Sequence, residues 1–174
     1  MAELVAINQI ERQLILYDIF TSFDIVTYRD IQFIFGKVEK RTIQRDIKDL
    51  TAAGLLSVKF SNKEQGYIHN ENESKKSIMK DNISEKKYMH LKRLQRLAEC
   101  MRLVVVADPI RAYFEKFPDS SERMRKRDFE TLRHIGFQAG YDREYGEYIV
   151  SRDYISALDG YGVFTKDGKI VRYR

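Results

Sequence analysis

The chain has 174 residues and a mass of 20.6 kDa, room for one ordinary domain or two small ones and too little for a barrel enzyme with a separate regulatory domain. Its 43% hydrophobic and 12% aromatic residues can build packed cores, while 33% charged residues and a mean hydropathy of -0.49 exclude a membrane interior as its solvent. The formal charge of +5 permits a polyanionic partner without demanding one, so its distribution matters more than its size. The longest aliphatic stretch, Leu103 to Ala107, falls far short of the roughly 20 apolar residues that span a bilayer. No basic head followed by an apolar signal segment opens the sequence, so no membrane partner and a cytoplasmic location are expected. The one cysteine, Cys100, cannot form an internal disulfide, and its apolar helical context reads as a buried structural thiol.

In chain order, Ile10, Leu14, Ile15, Ile19 and Phe20 share one helical face and predict a long first helix. A shorter helix is expected over Thr27 to Phe35. A third begins near Lys40, where Ile43, Ile47 and Leu50 follow the i, i+4, i+7 rule and Gly54 supplies a C-terminal stop. The pattern then changes to strand-like runs, Leu55 to Phe60 and Gly66 to His69, around a polar turn from Ser61 to Gln65. Residues 71–84, rich in Asn, Ser, Lys and Glu, read as a hydrated linker. A helix from Ser84 to about Val104, on the order of 30 Å long, carries Leu91, Leu94, Leu97 and Met101 on one face. Another spans Pro109 to Phe117, with Pro109 suited to its first turn. Asp119 or Ser120 is the expected cap of the next helix, Glu122 completing a partial capping box with Asp119. Strand-like runs follow at Phe137 to Tyr141 and Glu147 to Ser151. The tail suggests a helical turn over Asp153 to Leu158 and a hairpin over Val163 to Tyr173 around Lys166-Asp167-Gly168.

These elements repeat. The segment RTIQRDIKDLTAAGLL, Arg41 to Leu56, recurs at an offset of 82 as RMRKRDFETLRHIGFQ, Arg123 to Gln138. The offset carries Tyr28 onto Ile110, Ile31 onto Tyr113 and Phe35 onto Phe117. It slips by one residue downstream, where Gly66-Tyr67-Ile68 faces Glu147-Tyr148-Ile149. Three helices and a hairpin in each copy predict a mainly α fold with small β-hairpin wings (α+β), arranged as tandem winged helix-turn-helix domains. The expected divisions are a first domain over 1–70, the linker over 71–84, a second domain over 85–151, and a helical turn with hairpin over 152–174.

On a helical wheel, Arg41, Gln44, Arg45 and Lys48 fall opposite Ile43, Ile47 and Leu50. A helix lying in a DNA major groove needs such side chains. Arg donates two hydrogen bonds to guanine, Gln pairs with adenine, and Lys40 or Lys48 neutralises phosphate. The string VEKRTIQRDIKDLTAAG, Val38 to Gly54, resembles the third helix of the DeoR-type and WYL-type bacterial transcriptional regulators, with their R-T-I-x-R-D-I-x-x-L-x-x-x-G pattern. Arg41, Thr42, Ile43, Arg45, Asp46, Ile47, Leu50 and Gly54 match that pattern, and the likeness covers about Ile7 to Ile68. It implies a recognition helix with Lys40, Arg41, Thr42, Gln44, Arg45 and Lys48 as DNA contacts, and a wing carrying Lys63 against the phosphate backbone. Asp46 reads instead as a structural partner of an Arg. Glu39 departs from the family, which usually has a small hydroxyl residue there.

The second copy resembles the same family through Ser121, Arg123, Arg127, Asp128, Phe129, Leu132 and Gly136. Its candidate contacts are Ser121, Arg123, Arg125, Lys126, Arg127 and Arg133. Met124 stands where Thr is usual. Arg125 occupies the inward position of Ile43, so either the helix is rotated there or Arg125 snorkels to solvent. Residues up to Asn70 carry about zero net charge, which leaves the basic excess to the rest of the chain.

The resemblance implies a sequence-specific, double-stranded DNA-binding transcriptional regulator acting as a repressor. The long Ser84 helix and the unmatched C-terminal hairpin prompt the separate expectation of a homodimer, which would prefer inverted repeats. The family's ligand-sensing or sugar-phosphate domain has no counterpart, so no small-molecule effector domain is expected. No phosphate-cradling Gly loop, metal-spaced His or Cys cluster or nucleophile motif is present, and neither catalysis, a cofactor nor a metal is expected. The alternatives are a tandem winged-helix plasmid or phage replication initiator and a protein-binding tandem winged-helix adaptor.

Overall fold

The computed structural model describes residues 7–70, 77–104, 106, 108–144, 147–152, 163–166 and 169–172, with backbone pairing alone for 138–142 and the strands beyond. The first helix, α1 (Gln9–Ser22), starts at a capping box. The Asn8 side chain accepts from the Glu11 backbone N–H, and the Glu11 carboxylate accepts from that of Asn8. It is buried on nearly every side from Ile10 to Phe20, with Arg12 alone half-buried, which makes it the helix around which its neighbours pack. A short strand, β1 (Ile25–Thr27), leads into α2 (Tyr28–Phe35), opened by a second capping box from Thr27 and Asp30. The Tyr28 hydroxyl donates to the Val38 carbonyl at 2.5 Å and closes the turn between α2 and α3 (Lys40–Ala52). After α3, Gly54 at φ 68° lets the Leu55 N–H return to the Leu50 carbonyl, so the helix stops where the sequence predicts.

The strands β2 (Val58–Ser61) and β3 (Gly66–His69) form an antiparallel hairpin, and β1 pairs with the far edge of β3, giving the order β1-β3-β2. Gly66 makes the third strand possible. A Cβ at this position would stand 2.9 Å from the Val26 carbonyl oxygen, closer than a side chain tolerates. The core of this unit joins Leu14, Ile15 and Ile19 of α1 to Val26, Ile31, Ile43 and Leu50, all 1% exposed or less. Each such side chain contributes about 1.5–3 kcal/mol by leaving water.

The fourth helix, α4 (Glu85–Leu103), is followed by α5 (Pro109–Lys116), α6 (Glu122–His134), the antiparallel pair β4 (Phe137–Asp142) and β5 (Glu147–Arg152), and a separate hairpin of β6 (Val163–Lys166) with β7 (Lys169–Arg172). Asp108 caps α5, with Pro109 in its first turn. The two third helices are both 13 residues long and start 82 residues apart, and Gly54 and Gly136 both take positive φ at that same offset. The fold is thus mainly helical with a small three-stranded antiparallel sheet, an α+β arrangement.

Several expectations are corrected. The helix expected from Thr27 starts at Tyr28, and Ile25–Thr27 form β1, so the first sheet has three strands rather than a lone hairpin. Ser121, not Asp119 or Ser120, caps α6. Its hydroxyl accepts from the Met124 N–H, and Met124 rather than Glu122 occupies the third helical position, so the expected capping box does not form. The chain divides into two units between Gln95 and Arg96, inside α4, rather than at the polar linker, because the first half of α4 packs with the first unit. On α4, Leu91, Leu94, Leu97, Ala98 and Cys100 are 1% exposed or less. Arg125 does not reach solvent. It is 8% exposed, held by Glu122 and laid over the Phe129 ring with its guanidinium carbon 5.2 Å from the centroid. The expected helical turn at Asp153 to Leu158 lies outside the described residues.

Candidate nucleic-acid interface

On α3, Ile43, Asp46, Ile47, Asp49 and Leu50 point inward, whereas Lys40, Arg41, Gln44, Arg45 and Lys48 are exposed along the opposite side. Thr42 is half-buried at the margin. Among the described residues, Arg41, Arg45 and Lys48 have no carboxylate within ion-pair distance, and Glu39 at the N-cap is the one acidic neighbour on that helix outside its buried side. Glu39 makes no capping bond, so the first-turn N–H groups of α3 gain none of the satisfaction that Ser121 gives α6. The β2–β3 turn stands on the same unit with Asn62 and Lys63 exposed.

The inward side explains how that face is held. Arg12 Nε of α1 donates to Asp46 Oδ2 at 2.5 Å, and Gln13 Nε2 donates to Asp46 Oδ1 at 3.0 Å and to Asp49 Oδ2 at 3.1 Å. From α4, Lys87 Nζ meets Asp49 Oδ1 at 2.5 Å, and His90 Nε2 lies 2.8 Å from Gln13 Oε1. Since the Gln13 amide nitrogen serves the two carboxylates, its oxygen is an acceptor, and His90 is assigned the tautomer protonated at Nε2. Gln95 Nε2 donates to the Ala53 carbonyl at 2.7 Å, satisfying one of the carbonyls that the end of α3 leaves bare. Burial is the main influence on Asp46 and raises its pKa above the ordinary carboxylate range despite Arg12. Burial likewise pushes His90 below the usual imidazole range, although Asp49 opposes the shift. Asp46 is therefore structural, as its sequence context implies, and its partner is Arg12.

The second unit has a comparable anchor made of different residues. Asp128, fully buried, accepts from Arg96 Nε at 2.8 Å, from Arg96 Nη2 at 3.1 Å and from the Tyr113 hydroxyl at 2.8 Å. Burial and then the Asp128 bond push the Tyr113 hydroxyl up to about 12, and burial pushes the Cys100 thiol up to about 12, so this cysteine stays a neutral thiol. On the outer side of α6, Ser121, Arg123, Lys126, Arg127 and Arg133 are exposed. Arg133 is paired with Glu130 at 2.7 Å, whereas Arg123, Lys126 and Arg127 have no carboxylate within ion-pair distance among the described residues. Arg125 is withdrawn from this set by its bond to Glu122. A cleft of about 510 Å³ runs beside α6, floored by Val104, Pro109, Phe129, Leu132 and Phe137.

Sequence reasoning missed Gln13, Asp49, Lys87 and His90. The one available signal was an acidic pair, Asp46 and Asp49, on the wheel's inward side, where carboxylates require partners. Among the described residues no group of three or more His, Cys, Asp or Glu side chains could hold a metal ion, and no helix is long and apolar enough to cross a membrane. Comparison of the chain with protein-family models, curated proteins and solved structures finds no match.

Proposed function

We propose that this chain is a sequence-specific double-stranded DNA-binding protein, a transcriptional regulator of the repressor type, built from two winged-helix units with α3 and α6 as groove-entering helices. The observation that carries the reading is the sidedness of α3. Its inner face is fixed by two buried carboxylates, and its outer face presents Lys40, Arg41, Gln44, Arg45 and Lys48. A rigid helix with unpaired guanidinium groups and an exposed amide matches what base edges and phosphates require. The order of helix, strand, helix, helix and two-stranded hairpin, with Lys63 at the hairpin tip, supports a wing beside that helix. The equal length of α3 and α6 and their offset of 82 support a duplication, and Arg123, Lys126 and Arg127 give the second unit exposed cations of its own.

Selection from a random duplex library with the full chain tests this reading. The wild type is expected to enrich one sequence, and Arg41→Ala and Arg45→Ala each to weaken preference for it by about 1–3 kcal/mol, the cost of a lost base contact. Affinity is expected to fall steeply with salt as phosphate contacts release counterions. Enrichment of no sequence, or unchanged discrimination in both variants, would overturn it.

A further inference from the structure

Within the cationic face of the first unit lies a notch of about 280 Å³ lined by Lys40, Gln44, Ile47, Phe60 and Tyr67. Its wall is an aromatic ring that the fold leaves in water, Phe60 being 43% exposed. The ring is held firmly. Phe60 and Tyr67 are directly opposed on β2 and β3, their rings 5.2 Å apart and edge to face, and Tyr67 in turn stands edge-on to Phe20 in the core at 5.8 Å. The Lys40 ammonium sits 5.5 Å from the Phe60 centroid, so a positive charge caps the apolar recess. A firmly held, half-exposed aromatic flanked by an exposed amide and capped by the Lys40 ammonium is suited to a ligand that is anionic overall with a small apolar projection.

Duplex DNA offers one such projection in its major groove, the C5-methyl of thymine, and adenine is the base whose edge a glutamine amide matches. We infer that the notch between α3 and β2 receives a thymine methyl group against Phe60, beside an adenine read by Gln44, so that the strand next to the helix takes part in base discrimination. This rests on the DNA-binding reading above. It goes beyond a phosphate-neutralising hairpin by giving β2 a direct role in recognition, and it makes Phe60 a specificity-determining residue.

The test uses the full chain and its selected duplex, with deoxyuridine replacing thymidine at one position at a time. The wild type is expected to lose about fourfold in affinity at one position, the transfer value of a single buried methyl group, and little at the others. Phe60→Ala is expected to bind the thymidine and deoxyuridine duplexes equally, and Ile68→Ala, an exposed apolar residue of the same sheet outside the notch, to keep the full methyl dependence. Phe60→Gln carries the same expectation as Phe60→Ala and replaces it if truncation unfolds the sheet. Tolerance of deoxyuridine everywhere, or methyl dependence that survives loss of Phe60, would overturn the inference while leaving DNA binding intact. Failure of the wild type to select any duplex would overturn both.

Discussion

The two units place a buried aspartate at the seventh residue of a 13-residue third helix, Asp46 in α3 and Asp128 in α6, yet surround it differently. Asp46 belongs to a network with Arg12, Gln13, Asp49, Lys87 and His90, drawn from three helices, while Asp128 is gripped by the guanidinium fork of Arg96 and by Tyr113. The shared requirement is a fixed inner face. How the carboxylate is satisfied is free to vary. The sheets differ as well. Gly66 pairs with Ser61 at the end of its hairpin and leaves room for β1, whereas Glu147 stands in the same place opposite Asp142, and among the described residues β4 and β5 pair only with each other.

The largest effect expected from breaking this comparison is at Asp128. Asp128→Ala strands Arg96 and Tyr113, and should cost about 3–5 kcal/mol in urea unfolding, the penalty for removing one partner of a buried ion pair. Asp46→Ala should cost less: Arg12 and Arg96, 18% and 21% exposed, recover water alike, but Gln13 keeps Asp49 as an acceptor, whereas the buried Tyr113 hydroxyl loses its acceptor. Equal losses would show that the two anchors are energetically alike despite their partners.

Next is Gly66→Ala, which forces the Val26 carbonyl away from β3. A loss of about 1–3 kcal/mol is expected from overpacking. Hydrogen exchange should localise it to faster exchange of the β1–β3 amides. Unchanged exchange there would show that the bare Gly66 backbone is not what admits β1.

The smallest effect concerns pH. His90 has a lowered pKa in the folded protein, so the unfolded chain takes up its proton first as the solution is acidified. Stability from this group is fully present above about 6.5 and declines as pH falls below that value. Asp49, Lys87, Arg93 and Asp46 act on the imidazole, and the balance stays on the neutral side because burial outweighs Asp49. Thermal unfolding at pH 7.5 and 5.5 should therefore show a larger drop for the wild type than for His90→Gln. Equal drops would place the acid sensitivity elsewhere.

Much of this was legible from the chain itself, where local signals carry the information. The i, i+4, i+7 spacing and Gly54 located α3 and its end, and the offset of 82 located α6. The three residues of β1 are too few to show alternation, although Ile25, Val26 and Thr27 are all β-branched. The links from α3 to Arg12, Lys87 and His90 join residues more than 30 positions apart and leave no local pattern. For Arg125 the offset of 82 onto Ile43 marked an inward position, and the charge of the residue led to the expectation that it turns out to solvent. Neither signal could tell that Glu122 and Phe129 would make a buried guanidinium tolerable there. The outward residues of α3 were readable because a helical face follows from spacing alone, whereas the exposure of Phe60 depends on how the hairpin meets the helix.

The central claim, that the outer face of α3 reads bases in the major groove, is tested most directly by methylation protection of guanine N7 on the selected duplex. The account predicts protected guanines with the wild-type chain and restored reactivity at those guanines with Arg41→Ala or Arg45→Ala at saturating protein. A bound complex in which every guanine N7 stays reactive, or a protection pattern unchanged in both variants, would contradict it.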